Sequence, residues 1–158
     1  GIDPVTGKPQ INPEARYEKT GKLWVSLPGA GGAHSWHPMS WSPLTGLMYI
    51  PANLAAFPYL ADKEWEESDI GFQTGLDSAG TAMPADPAAR AGALAGTTGA
   101  LVAWDPLGGR EAWRVPYAGP WNGGTLATAG NLVFQGTAAE EFVAYAADTG
   151  RKLWSFPT

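Results

Sequence analysis

The stretch Leu101-Val102-Ala103-Trp104, Asp105-Pro106-Leu107-Gly108-Gly109, Glu111-Ala112-Trp113-Arg114-Val115 decides the fold. Apolar residues of strand type run into a cluster of turn formers and an extended segment resumes beyond it, the pattern of a β-hairpin. The same grammar returns as Phe142-Val143-Ala144-Tyr145, Ala147-Asp148-Thr149-Gly150 and Lys152-Leu153-Trp154-Ser155-Phe156. Ala103, Gly109 and Trp113 recur as Ala144, Gly150 and Trp154, all at an offset of 41 residues. A period of roughly 40 to 50 residues with four short strands per unit is the signature of a propeller blade.

Working outward, Thr125-Leu126-Ala127-Thr128, the turn Ala129-Gly130-Asn131 and Leu132-Val133-Phe134-Gln135 complete a four-stranded sheet with the second copy. Upstream, Met39-Ser40-Trp41 and Leu47-Met48-Tyr49-Ile50 flank the turn Pro43-Leu44-Thr45-Gly46 and supply the inner strands of the preceding blade. Its outer strands are the hairpin of Leu101 to Val115. The expected organisation is 1–38 as the end of an earlier blade with a lead-in loop, 39–116 as a blade interrupted by an insertion at 51–99, and 117–158 as one four-stranded blade. The fold class is all-β, a propeller fragment of about two to two and a half blades with a long loop insertion. Within the insertion, Asp86-Pro87-Ala88-Ala89-Arg90 closed by Gly96 predicts a short helix, with Asp as N-cap and Gly just past the end. The acidic run Asp62 to Asp69 lacks the ligand spacing and glycine of a calcium loop and reads as a solvated face.

Composition agrees. Gly 21 and Pro 14 make 35 of the 158 residues, against an ordinary share of about 12%. Apolar residues at 44% and eight Trp supply enough surface to bury that disorder is excluded. A net charge of −5 with no Lys/Arg cluster excludes a nucleic-acid surface. With no cysteine, the chain carries no disulfide, thiolate metal site, Cys nucleophile or covalently attached haem.

Few residues are candidates for chemistry. Trp113 and Trp154, at the repeat period, read as rings packed on a neighbouring sheet beside small Ala103 and Ala144. His34 and His37 are the only histidines. No carboxylate lies near them, and extended backbone would turn their rings to opposite faces, so they read as hydrogen-bonded structural residues. Gly31-Gly32 fails the spacing of a phosphate loop, and Ser78 lacks the first glycine of a nucleophile elbow. There remain two loops that each run into the first strand of a blade, Ala33-His34-Ser35-Trp36 and Pro120-Trp121-Asn122-Gly123-Gly124. Innermost strands line a propeller's central channel, so these loops would place flat Trp and polar Ser or Asn at one mouth of it, suited to a flat polar ligand.

Ala33-His34-Ser35-Trp36-His37-Pro38-Met39-Ser40, with Thr45-Gly46-Leu47-Met48-Tyr49-Ile50-Pro51 and the continuous run from Gly99 to Thr137, resembles the pyrroloquinoline quinone (PQQ) dependent alcohol dehydrogenases, with the quinohaemoprotein ethanol dehydrogenases the nearest branch. The segments ending at Trp113 and Trp154 are similar to that family's tryptophan-docking motifs. The resemblance implies an eight-bladed periplasmic propeller holding PQQ and calcium in its channel. Such enzymes oxidise small alcohols by hydride transfer to the quinone, with an aspartate base and calcium as Lewis acid, and electrons leave through cytochrome c or a fused haem c domain. On these residues it assigns cofactor contact to Ser35, Trp36, Trp121 and Asn122, with Ser35 standing where Asn is commoner. Nothing in the chain matches the family's catalytic aspartate, calcium ligands or vicinal cysteines, so it implies a piece that needs the remaining blades and is inactive alone. A second reading is a non-catalytic PQQ-like propeller module that binds protein partners.

Overall fold

The computed structural model describes residues 1–67, 69 and 74–158. Two four-stranded antiparallel sheets dominate it. After a 3-10 turn at Pro13–Ala15 and a one-turn helix α1 (Tyr17–Thr20), the chain forms β1 (Trp24–Ser26), β2 (Ser40–Ser42), β3 (Leu47–Leu54) and β4 (Phe57–Tyr59). Helix α2 (Pro87–Ala95) is followed by β5 (Thr98–Asp105), β6 (Arg110–Tyr117), β7 (Thr125–Thr128), β8 (Leu132–Thr137), β9 (Glu141–Ala146) and β10 (Lys152–Pro157). The sheet orders β2-β3-β5-β6 and β7-β8-β9-β10 are those of two meandering blades, the first with its third strand reached across the insertion.

The turns follow from local chemistry. Asp105 Oδ1 accepts the backbone N–H groups of Leu107 and Gly108 at 3.0 and 2.8 Å, and Gly109 takes a φ of 61° that closes the β5–β6 hairpin. Asn131, a residue tolerant of the left-handed region, does the same between β7 and β8 with a φ of 60°.

The two sheets pack through odd-numbered positions of the first. Register places Tyr49, Ala103 and Trp113 in one row and Pro51, Leu101 and Val115 in the next. Against them lie Val133, Val143 and Tyr145 of the second sheet, which form the buried core with Tyr49, Leu101 and Ala103, while Trp113 and Val115 pack against it. Trp113 docks across the interface: its indole N–H donates to the carbonyl of Ala147 at 3.1 Å, and its ring covers Gly150 so closely that a Cβ there would stand 2.5 Å from Cε3. Tyr49 donates to the same carbonyl at 3.0 Å. Trp154, the repeat mate of Trp113, lies with Leu126, Phe142 and Phe156 among the exposed apolar residues.

Two details differ from the expected organisation. Residues 1–38 contribute no strand to either four-stranded sheet; β1 instead pairs with β4 of the insertion, Val25 opposite Pro58. The insertion is also shorter than 51–99, because β3 runs on to Leu54 and β5 begins at Thr98. Pro51 is accommodated because its missing N–H faces away from β5: its carbonyl, on that same side, meets the His34 ring Nδ1 at 2.9 Å. Within the shortened insertion α2 forms with Asp86 as N-cap, the Asp86 carboxylate accepting from Ala89 N–H at 2.7 Å. Gly96 stays in the right-handed region rather than the left-handed one. Of the acidic run, Ser68 lies outside the described residues.

Candidate functional site

The site lies at the end of the blades from which the insertion departs. Two loops meet there. The first, Gly29 to Pro38, covers the part of β3 that extends beyond β2: Asn53 N–H donates to the Ala33 carbonyl at 2.7 Å, two residues on from the His34–Pro51 contact. The second, Gly119 to Gly124, links β6 to β7 and is tied down at alternate residues. Trp121 N–H donates to Asn53 Oδ1 at 2.9 Å, and Gly123 N–H to the Gly136 carbonyl at 2.8 Å. The Gly123 carbonyl accepts from Gln135 Nε2 at 2.7 Å, and Thr125 N–H reaches the Pro38 carbonyl at 2.9 Å.

These ties bring the two candidate tryptophans together. The rings of Trp36 and Trp121 stack with centroids 5.8 Å apart and planes 16° from parallel. His37 leans on both, 5.2 Å from Trp36 and 6.3 Å from Trp121, so the three rings form a triangle rather than a column. Trp36 is 77% exposed, an unusual state for an indole and one that leaves a flat apolar surface open above the blades. Trp121 is half exposed and borders a small cavity of about 200 Å3 with Gly29–Gly32 and Ala55–Phe57. Gly31 permits this approach, since a Cβ there would fall 2.3 Å from the Trp121 ring. An open indole backed by a second one fits a planar conjugated ligand.

The remaining two predicted residues behave differently. Ser35 is half-buried between His34 and Trp36. Asn122 is 4% exposed, its Nδ2 donating to the Gly119 carbonyl at 2.9 Å and its Oδ1 accepting Ala138 N–H at 3.0 Å. The Asn122 amide is thus engaged on both sides in fixing the loop, because a buried amide must be satisfied where it lies. The two histidines diverge, His34 onto Pro51 and His37 onto the tryptophans. Among the described residues no three His, Asp or Glu side chains converge as a metal site.

Comparison with known proteins fixes the family. Residues 66–158 match a PQQ family described as outer membrane protein assembly factor BamB. Over 157 residues, 99% of the chain, it is 45% identical to the dehydrogenase subunit of the quinone alcohol dehydrogenase of Gluconacetobacter polyoxogenes. Among solved structures, the quinohemoprotein alcohol dehydrogenase ADHIIG of Pseudomonas putida HK5 superposes with a TM-score of 0.90 at 44% identity, covering 99% of this chain and 23% of that one. The quinohemoprotein alcohol dehydrogenase of Comamonas testosteroni gives a TM-score of 0.77 at 42% identity, over 100% of this chain and 23% of that one. The chain belongs to the quinoprotein alcohol dehydrogenase family. It spans about a fifth of the length of the curated relatives it matches, 21% of the Gluconacetobacter subunit.

Family membership leaves the supporting residues unassigned, and sequence reading missed them. Behind the second loop runs a buried polar chain. Tyr117 donates its hydroxyl to Gln135 Oε1 at 2.7 Å and lies 2.9 Å from the Tyr145 hydroxyl, which must then donate to it, since each hydroxyl carries one proton. Burial pushes both phenols above the ordinary tyrosine value, Tyr117 far above it. Gln135 is fully buried and was legible only as an interruption in the apolar run Leu132-Val133-Phe134. Asn53 offered a similar signal, one polar residue in the apolar continuation of β3.

Proposed function

We propose that this chain is the part of a PQQ-dependent alcohol dehydrogenase that supplies one wall of the cofactor channel. The observation that carries the reading is the stacked Trp36–Trp121 pair, open to solvent at the shared end of two blades and held by loops whose backbone is anchored at Ala33, Pro38, Trp121 and Gly123. Trp36 and Trp121 would bound the flat ring system, and Ser35 would offer a hydroxyl at its edge. Bound there, PQQ would supply the two-electron acceptor for a hydride taken from the carbon of a small primary alcohol. This chain's own residues contribute binding, orientation and exclusion of water, while the base and the calcium ligands belong to the remaining blades. A periplasmic location, with electrons passing to cytochrome c or to a fused haem domain, completes the reading. The quinohemoprotein names of the relatives favour it over a scaffold module.

The test uses the full-length protein freed of cofactor and titrated with PQQ in excess calcium. Trp36→Ala and Trp121→Ala should each raise the PQQ concentration needed for half-maximal dye-linked ethanol oxidation, by roughly 10-fold for the loss of a buried aromatic contact of about 1–2 kcal/mol. Unchanged half-saturation in both variants refutes the assignment. The isolated 158-residue chain should show no PQQ-dependent turnover under the same conditions.

A further inference from the structure

The backbone of Trp121 is unusual. Its φ of 63° lies in the left-handed region, where a side-chain-bearing residue costs about 1–2 kcal/mol and a bulky one is rare. Something must hold it there. Its N–H points not at another backbone group but at the side chain of Asn53, whose Oδ1 accepts it at 2.9 Å. Asn53 is 5% exposed, so water cannot readily take over as acceptor. The same residue's N–H donates to Ala33, two positions before Ser35. Residue 53 thus ties both loops of the candidate site to the end of one strand.

The neighbouring strand is built to allow this. Asn53 stands opposite Gly99 in the β3–β5 register. A Cβ at Gly99 would lie 2.6 Å from the Gly119 carbonyl oxygen and 2.8 Å from Asn122 Nδ2. Only a glycine there lets the loop settle onto the sheet. Asn122, bonded to Gly119 and Ala138, holds the far side of Trp121 to the second blade as Asn53 holds the near side to the first. Asn53 and Gly99 also fall where the two blades cease to match: β3 and β5 are eight residues long, whereas β8 and β9 are six. The extra length of the first blade is what carries them.

We propose that Asn53 is a positioning residue for the cofactor site: by accepting the Trp121 N–H it holds that residue in its left-handed conformation, and so sets the indole platform on which Trp36 stacks. It touches no substrate and acts through Trp121. The proposal rests on the reading of Trp36 and Trp121 as cofactor contacts, but its structural half is independent of that reading.

The test again uses the full-length protein. Two indoles stacked this closely give an exciton couplet in the circular dichroism of the cofactor-free protein, defined as the difference spectrum against Trp36→Phe. Asn53→Leu, similar in size but without an acceptor, should abolish the couplet and raise half-saturating PQQ by roughly 10-fold or more, as expected when a buried donor loses its partner. Asn53→Asp keeps an acceptor oxygen and should retain most of the couplet. Should Asn53→Leu fail to fold, Gly99→Ala displaces the same loop with Asn53 intact and should give the same two changes. A couplet and a PQQ half-saturation both within twofold of the parent in Asn53→Leu, or in Gly99→Ala where only that variant folds, overturn the proposal. If Trp36→Ala and Trp121→Ala leave PQQ binding unchanged, the cofactor reading falls instead, and the couplet alone decides the role of Asn53.

Discussion

Replacement of Gly150 by Ala tests the docking of one blade on the next. Gly150 has a φ of 71°, and a Cβ built on it stands 2.5 Å from Cε3 and 2.8 Å from Cδ2 of Trp113. Two costs follow. The left-handed backbone costs an L-residue about 1–2 kcal/mol, and forcing a methyl against a ring that is itself pinned adds about 1–3 kcal/mol of overpacking. Trp113 cannot simply retreat, because its indole N–H is bonded to the Ala147 carbonyl and its ring lies against Tyr49 at 5.7 Å. Gly46 provides the control: its φ is 70° with nothing within 4 Å of a Cβ, so Gly46→Ala should incur the backbone cost alone. The assay is native-state hydrogen exchange on the full-length protein, read at the β9–β10 turn, where Gly150 N–H is bonded to the Ala146 carbonyl at 2.8 Å, and at the β2–β3 turn for the control. At tenfold per 1.4 kcal/mol, exchange should rise roughly 30-fold to several thousand-fold for Gly150→Ala and about 5- to 30-fold for Gly46→Ala. Equal increases would refute the reasoning, showing that the indole is not rigidly seated on that turn.

Three further outcomes are expected. Gln135→Leu orphans the Tyr117 hydroxyl and the Gly123 carbonyl together and should destabilise the protein by about 1–3 kcal/mol or more, whereas Tyr117→Phe should cost less; thermal unfolding of both variants checks the order. Tyr49, Tyr117 and Tyr145 are all raised above 10.0 by burial. Their folded values exceed the unfolded ones, so their contribution to stability is complete below about pH 10 and is lost as pH rises through the folded values. Tyrosinate absorbance followed beside unfolding should show ionisation of these groups only as the fold is lost, and early ionisation of all five tyrosines in a folded protein would contradict this. Finally, the isolated chain should self-associate, because Leu126, Phe142, Trp154 and Phe156 expose one apolar sheet face beside the free edge of β10; a monodisperse monomer by light scattering would count against it.

The blades were legible because they repeat. Ala103 and Ala144, Gly109 and Gly150, Trp113 and Trp154 are held to a common pattern by the same interface, and that pattern survives in one sequence without any alignment. The β1–β4 ribbon was not legible. Val25 and Pro58 meet beside the bond from Gly29 N–H to the Ala55 carbonyl, which brings two distant loops together, and nothing in either three-residue strand announces its partner. Of the site, the two tryptophans stood out through their setting in glycine-rich loops. Asn122 stood out for the same reason, but its part in fixing the loop did not, since a polar residue beside an exposed aromatic looks alike in sequence whether its amide faces a ligand or its own backbone.

The departures from the repeat locate the candidate site better than the repeat does. Where the blades match, each residue is explained by packing: Trp113 needs Gly150, and Trp154 presents the same ring on the open face of its own sheet. Where they differ, packing of blade on blade explains nothing. The second blade ends β8 at Thr137, yet the first continues β3 to Leu54, and on that continuation stand Asn53, the Pro51 carbonyl that holds His34, and the contact to Ala33. A strand extended past its neighbour exposes backbone groups that must find partners. Here they find the two loops carrying Trp36 and Trp121, so the break in symmetry and the assembly of the aromatic platform are one structural event. Local rules violated together in one place, with a left-handed tryptophan, a buried asparagine and a glycine that cannot be replaced, are the mark of a site shaped for something other than stability.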